Sequence, residues 1–386
     1  MATTQPGFAQ PSPPPPRKDL FQRVRGFWHR VTEGLELQQL WSQFQTEART
    51  GYRLYSKEVD ARRPDVIPRN NWWYTAREFF WAILMKLSPA KRVLLLIGLL
   101  LLIVPVVQVN TDGGVSGSNE GIRVIGGLII LMILILETAD RVTMKRDLEI
   151  AREIQHWLVP DTPPDVPGLD IAFFTRPANT VAGDYYDVVP RSESGKYLIA
   201  IADVAGKSMP AALLMATFQA SLKTLSAASP SLLDLVTGLN RYACDHSIQG
   251  TRFTTAFLAE YDSATCSLSY VNAGHNPPLL LRGSRVEQLN EGGVPLGILA
   301  DAQYQSGRIH LEPNDTLAIY TDGVVEAQNV AGQEFGEELL IKVLQMVPNT
   351  SAQEAIRHLM TNIEAFVATA PQHDDITCMV VRCVQR

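Results

Sequence analysis

Cysteine is scarce in this chain: four in 386 residues (Cys244, Cys266, Cys378 and Cys383), with no CxxC pair and no histidine at zinc-finger spacing. That excludes a disulfide framework and a structural zinc site, and fits reduced thiols in a cytosolic domain. An apolar core near the start is also missing. Residues 5–16, QPGFAQPSPPPP, are proline-rich and uncharged, so a disordered or polyproline tail is expected rather than a secretory signal. Basic charge is lacking from most of the chain. Residues 1–92 carry 15 Lys+Arg against 8 Asp+Glu, and the remainder carries 19 against 32, for a net charge of −6. An acidic bulk argues against nucleic acid as the main partner, and a basic front beside an apolar segment reads as attraction to anionic lipid. Finally, Gly206-Lys207-Ser208 looks like the end of a phosphate-binding P-loop. The glycine that motif needs five residues before Gly206 is absent, because Ile201 stands there, so a nucleotide hydrolase is not expected.

What is present falls into five stretches: a tail at 1–17, a helical region at 18–92, two apolar spans at 93–136, a linker helix at 137–160 and a catalytic domain at 161–386. From Lys18 to about Asp60 the apolar positions Leu20, Val24, Phe27, Trp28, Val31, Leu35, Leu40 and Phe44 recur at mixed three-and-four spacing. This is an amphipathic helix, either packed or lying on a membrane surface. Asn71 to Leu87 is dense in aromatics, the composition of an interfacial belt. The runs Val93–Val109 and Ile122–Leu136 are apolar all round and read as a transmembrane hairpin. Lys86, Lys91 and Arg92 precede it and Arg141, Lys145 and Arg146 follow it, whereas the turn between its arms has no Lys or Arg. Both flanks are therefore expected in the cytoplasm, on the inner face of a cell membrane. Glu137 to Leu158 favours helix and stops at Pro160. Met144, Ala151 and Leu158 are seven apart, which permits a parallel coiled coil between two copies or packing on the next domain.

Four acids stand at strand ends in otherwise apolar segments: Asp184 in VAGDYYDVV, Asp203 after Tyr197–Ala202, Asp322 after Leu317–Tyr320, and Asp374 before Cys378–Val384. A carboxylate there packs poorly but projects well into a site on top of a sheet, where a hard divalent cation neutralises it. Oxygen-only ligation favours magnesium or manganese over zinc. Strands in succession and helices in pairs (Met209–Leu225 with Ser231–Ile248, Gly336–Met346 with Ser351–Ala368) indicate an α+β fold.

GDYYD, ADVAGKSMPAALL, NAGHNPPLL, GGVPLGI, YTDGVVEAQN and HDDIT follow one another in the order found in the metal-dependent (PPM-type) serine/threonine phosphatases. The resemblance, over about residues 148–384, is to the SpoIIE/RsbU branch. Departures are small: Ala182 where glycine is usual, and Ser208 where a second glycine is common. The resemblance implies an αββα sandwich, two antiparallel sheets with helices on both outer faces. It implies two Mn or Mg ions held by Asp184, Asp203, the Val204 carbonyl, Asp322 and Asp374, with Asp375 orienting rather than binding. It also implies hydrolysis of phosphoserine or phosphothreonine on a regulatory protein, a STAS-domain antagonist of an anti-sigma factor. Ala205 stands where the animal branch has a proton-donating histidine. His275 in NAGHNPP is the nearest alternative donor by motif, although a loop-bracing role suits it too, and His373 would only orient its neighbour. A catalytically silent phosphatase fold acting as a signalling module is the competing class. Loss of a ligand acid would favour it, and none is lost.

Overall fold

The computed structural model describes residues 77, 80–81, 84–103, 108–110, 116–118, 120–246, 252–348 and 350–384. The proline-rich tail, the amphipathic stretch and most of the aromatic run lie outside the described residues. The chain divides into two units, 1–138 and 139–386.

In the first unit, α1 (Pro89–Ile103) and the start of α2 (Glu120–Leu158) flank a short antiparallel ribbon of β1 (Gln108–Asn110) and β2 (Ser116–Ser118). Of the apolar run expected to span over 93–109, residues 93–103 are helical and 108–110 are strand, and 104–107 lie outside the described residues. The 15 residues of α1 make about 22 Å of helix, against about 30 Å of hydrocarbon. Among the described residues α2 is the one helix long and apolar enough to cross a membrane. The two helices meet through glycine. A Cβ on Gly126 would come within 2.9 Å of the Gly98 carbonyl oxygen, and one on Gly98 within 3.0 Å of Ile130. Such small residues let helix backbones approach where burial from water supplies no drive. Lys91 Nζ pairs with Glu137 at 3.2 Å, while Leu100, Ile103, Leu128 and Leu134 point outward and exposed.

The sequence reading separates a span at 122–136 from a linker helix at 137–158. The structure joins them: α2 runs unbroken for 39 residues from Glu120 to Leu158. Composition changes at Glu137, but no proline or glycine interrupts the backbone there, so the helix continues.

The second unit is the αββα sandwich. One sheet has the order β3 (Leu169–Arg176), β13 (Ile376–Cys383), β12 (Thr316–Tyr320), β8 (Leu279–Arg282), β9 (Arg285–Gln288). The other has β10 (Gly292–Gly293), β7 (Ser267–Ala273), β6 (Thr254–Asp262), β5 (Lys196–Val204), β4 (Tyr185–Pro190), with β11 (Gly307–His310) also on β7. Among the described strands all pairings are antiparallel except β10 with β7, to which a lone parallel bridge between Ala256 and Gly274 adds. Strand alternation divides the core. On β5, Ile199 and Ile201 face Leu317, Ile319, Met379 and Val381 across the sandwich. Their neighbours Leu198, Ala200 and Ala202 face outward onto Met215, Phe218 and Leu222 of α3 (Met209–Ala228) and Leu235 and Leu239 of α4 (Leu232–His246). On the other outer face Ala172, Ala318 and Val380 meet Leu340 and Leu344 of α6 (Gly336–Gln345) and Ile356, Leu359 and Ile363 of α7 (Ala352–Val367). Period two on the strands and three-to-four on the helices thus assign each apolar side chain to a layer. Ser351 caps α7 by accepting the Glu354 N–H at 3.2 Å, one half of a capping box.

Candidate metal centre

The acids picked out by the sequence come from both sheets. Asp184 immediately precedes β4, Asp203 is the penultimate residue of β5, Asp322 opens the short helix α5 (Asp322–Val325) after β12, and Asp374 lies two residues before β13. Two glycines set the spacing. A Cβ on Gly183 would press 3.2 Å from the Val204 carbonyl oxygen and 3.7 Å from Asp203 Oδ1, so the Asp184 turn lies against both groups. A Cβ on Gly323 would fall 1.9 Å from the Asp375 carbonyl oxygen, so the Asp322 turn lies against the HDDIT loop. At Gly323 only a residue without a side chain fits, and at Gly183 a Cβ would be tight.

Hydrogen bonds fix the turns. Thr321, fully buried, donates to Asp184 Oδ2 at 3.0 Å and accepts the Thr377 N–H at 3.1 Å, tying β12, β13 and the Asp184 turn together. Asp375 is spent on backbone: its two oxygens accept the Ala178 and Gly183 N–H groups, each at 2.7 Å. Gln155, in the last turns of α2, grips the same loop, its Nε2 donating to the Ala182 carbonyl at 2.7 Å and its Oε1 accepting the Ala182 N–H at 2.9 Å. Thr321 and Gln155 carry no motif signal. Both became partners only through residues over a hundred or 27 positions away.

The acids raise one another's proton affinity. Burial, and then the Asp203 charge, push Asp184 well above the usual carboxylate range. Burial, then Asp322 and Asp374, bring Asp203 up to about 7, although a hydrogen bond with Asp184 pulls the other way. Asp322 is raised by burial and then by Asp374. The cluster therefore holds more negative charge than its surroundings solvate, which a hard cation relieves. Among the described residues no three His, Cys, Asp or Glu side chains close into a ready cage for one ion. The donors on offer are carboxylate oxygens and a main-chain carbonyl, a set that fits the hard cations Mg or Mn.

His275 sits one side chain behind this cluster. It is buried, its Nδ1 is 3.0 Å from Thr255 Oγ1, which lies 3.5 Å from the Asp203 carbonyl oxygen, and its backbone N–H donates to Asn272 Oδ1 at 2.7 Å. Burial draws its pKa down to about 4, so it is neutral and carries no acid proton at pH 7. Ala205 offers the site only a main-chain group, its N–H bonding the Phe253 carbonyl at 2.9 Å, and His373 contributes its carbonyl to Lys207.

A pH prediction arises here. Raised above its ordinary 3.8, Asp203 ionises at a cost in the metal-free fold, so metal-free stability should decline as pH rises from about 4 through about 7. Cation binding needs the ionised form and should fade as pH falls through about 7. Thermal melts at pH 5.5 and 8 should show a larger Mn²⁺-induced rise in Tm at pH 8, and an equal rise at both would contradict the assignment.

The family model for stage II sporulation protein E matches residues 193–384. Phosphoserine phosphatase RsbU of Bacillus subtilis is 31% identical over 241 residues, covering 62% of this chain and 70% of RsbU. Protein IcfG of Synechocystis is 26% identical over 309 residues, covering 71% of this chain but only 48% of IcfG. Among solved structures, the SiaA-PP2C domain of Pseudomonas aeruginosa superposes with a TM-score of 0.57 at 22% identity, covering 63% of this chain and 98% of that domain. This last likeness concerns the fold. With the αββα sandwich and the ordered acids, the RsbU match identifies the chain as a member of the SpoIIE/RsbU family of metal-dependent, PPM-type protein serine/threonine phosphatases.

Proposed function

We propose that this chain is a membrane-anchored phosphatase that removes phosphate from serine or threonine of a regulatory protein, using two Mn or Mg ions held by Asp184, Asp203, the Val204 carbonyl, Asp322 and Asp374. The observation that carries this reading is the mutual electrostatic strain of acids delivered by both sheets to one end of the sandwich. When bound, the ions would neutralise phosphoryl oxygens and acidify water into a nucleophile at neutral pH. The chain's own part is placement. Thr321 and Asp375 hold the Asp184 turn, Gly183 and Gly323 allow the turns to close, and the buried sandwich keeps the acids from relaxing apart. No neutral side chain with a proton to give stands in the place of Ala205, so protonation of the leaving oxygen falls to solvent in the open site.

The substrate is proposed by family analogy as a phosphorylated STAS-domain antagonist of an anti-sigma factor. Phosphate release from a generic phosphoester, with Mn²⁺ and with EDTA, tests the chemistry. Release in EDTA equal to that in Mn²⁺ would sink the two-ion reading.

Membrane anchoring rests on the exposed apolar faces of α1 and α2 and on their glycine contact. With basic flanks inside, a cysteine placed at Ser116 should label from outside intact cells and one placed at Ser192 should not. The reverse pattern would overturn the topology. Self-association is proposed through α2. The coiled-coil face expected from Met144, Ala151 and Leu158 is largely turned inward, because Leu148, Ala151, Gln155 and Leu158 are half-buried. The uncovered stripe is Ile150, Ile154 and Trp157, at three-and-four spacing and 46%, 49% and 80% exposed. Two copies would pair there.

A further inference from the structure

Between β5 and α3 the backbone makes a turn in which Gly206 has φ 124° and Ser208, not a glycine, has φ 64°. A non-glycine residue in the left-handed region is held against a steric cost and marks an over-determined conformation. Its effect is to carry Lys207 across the site to the opposite sheet. Lys207 Nζ donates to the His373 carbonyl at 2.6 Å and to Asp374 Oδ2 at 2.8 Å. Among the described ion pairs this is the one made by any of the five acids of the centre.

The ammonium covers half of the cluster. Its charge acts on Asp322 and Asp375 as well as Asp374, whereas Asp184 and Asp203 are governed by burial and by other acids. Lys207, Asp374 and Gly323 also line a cavity of about 270 Å³ with Arg176, Glu326 and Gln372. A displaced ammonium therefore has room to move without leaving the site.

We propose that Lys207 is a built-in counter-ion of the Asp322–Asp374 half of the centre, competing for Asp374 with the divalent cation that this half would hold. The inference rests on the metal-centre reading above. A cation entering that half must break the Lys207–Asp374 pair and then sit beside a displaced positive charge, so the Asp322–Asp374 position is the weaker of the two. The other half makes no described ion pair with Lys207 and should keep its affinity. The device fits a phosphatase that is to be loaded only when something else favours the loaded state.

The test is Mn²⁺ binding to the full chain in detergent, followed by loss of the free-ion electron paramagnetic resonance signal. Lys207→Met keeps the stem and removes the charge, and should tighten the weaker site about three- to thirty-fold while leaving the tighter one unchanged. Lys207→Arg keeps the charge and should stay near wild type. Lys207 is exposed, so neither variant should shift Tm by more than a degree or two, which thermal melts verify. Unchanged weak-site affinity in Lys207→Met, or equal tightening by Met and Arg, would overturn the counter-ion role while leaving the metal centre standing. A wild type that binds no Mn²⁺ would remove both.

Discussion

Asp203→Asn should abolish most of the phosphatase activity, lowering kcat by about a hundredfold or more, or about 2.7 kcal/mol of transition-state stabilisation, while raising the Tm of the metal-free protein. The two effects come from one cause. Asp203 lies within β5 between Ala202 and Val204, both fully or almost fully buried, and asparagine is its isostere, so the strand and the layers on either side of it are undisturbed. What changes is charge. In the metal-free fold Asp203 is opposed by burial and by Asp322, Asp374 and Asp375, so its ionised form is a liability that the amide lacks. With cations present, the same carboxylate would be one of their ligands, and its loss would weaken their binding. A variant that is less active because it is misfolded would melt lower. A variant that is less active because it lost a ligand should melt higher without metal and gain less from Mn²⁺. Loss of activity together with a lower metal-free Tm would refute the assignment of Asp203 as a strained ligand, and full activity would refute it as a ligand at all.

The acids were legible in the sequence because each interrupts an apolar strand at its end, a position packing does not explain. Asp184, Asp203, Asp322 and Asp374 need only hydrophobic runs and turn residues to be found, and successive strands with paired helices give α+β, whereas the αββα layering comes from the resemblance to the phosphatase family. What escaped were relations set by tertiary folding. Thr321 looks like any strand-end threonine until β13 brings Thr377 beside it. Lys207 was read as part of a failed P-loop, and its carboxylate partner lies 167 residues on. The short strands β9, β10 and β11 lack the length for a period to show, and β10 pairs through glycines whose side-chain absence is itself the requirement: a Cβ on Gly292 would overlap the Asn272 backbone. Pro160 stops α2 at Leu158, but the change of composition at Glu137 does not start a new helix, because a helix with no breaker runs through it.

That continuity of α2 gives the second large effect. Gln155→Leu should change turnover by about five- to 150-fold, the range expected when a coupling of about 1–3 kcal/mol is removed. Gln155 occupies the half-buried stripe of α2 with Leu148, Ala151 and Leu158, and its amide makes two hydrogen bonds to Ala182, each worth about 0.5–1.5 kcal/mol. Ala182 is two residues from Asp184, and the intervening Gly183 is held by Asp375. A rotation or shift of α2 can therefore reach the Asp184 turn through a fixed polar contact rather than through packing alone. Leucine keeps the volume of glutamine and removes both bonds, so the helix should stay in place while the turn loses its tie. Ala151→Leu, on the same stripe, should press on the domain and also alter turnover, whereas Glu149→Gln, exposed, should do little. Trp157→Ala, on the uncovered stripe, separates coupling from pairing: sedimentation should show weaker self-association. If Gln155→Leu leaves both Mn²⁺ affinity and turnover at wild-type values, α2 is a passive tether. If Trp157→Ala changes association without changing turnover while Gln155→Leu changes turnover without changing association, the helix acts on the Asp184 turn within one copy, and pairing serves only to hold two copies together.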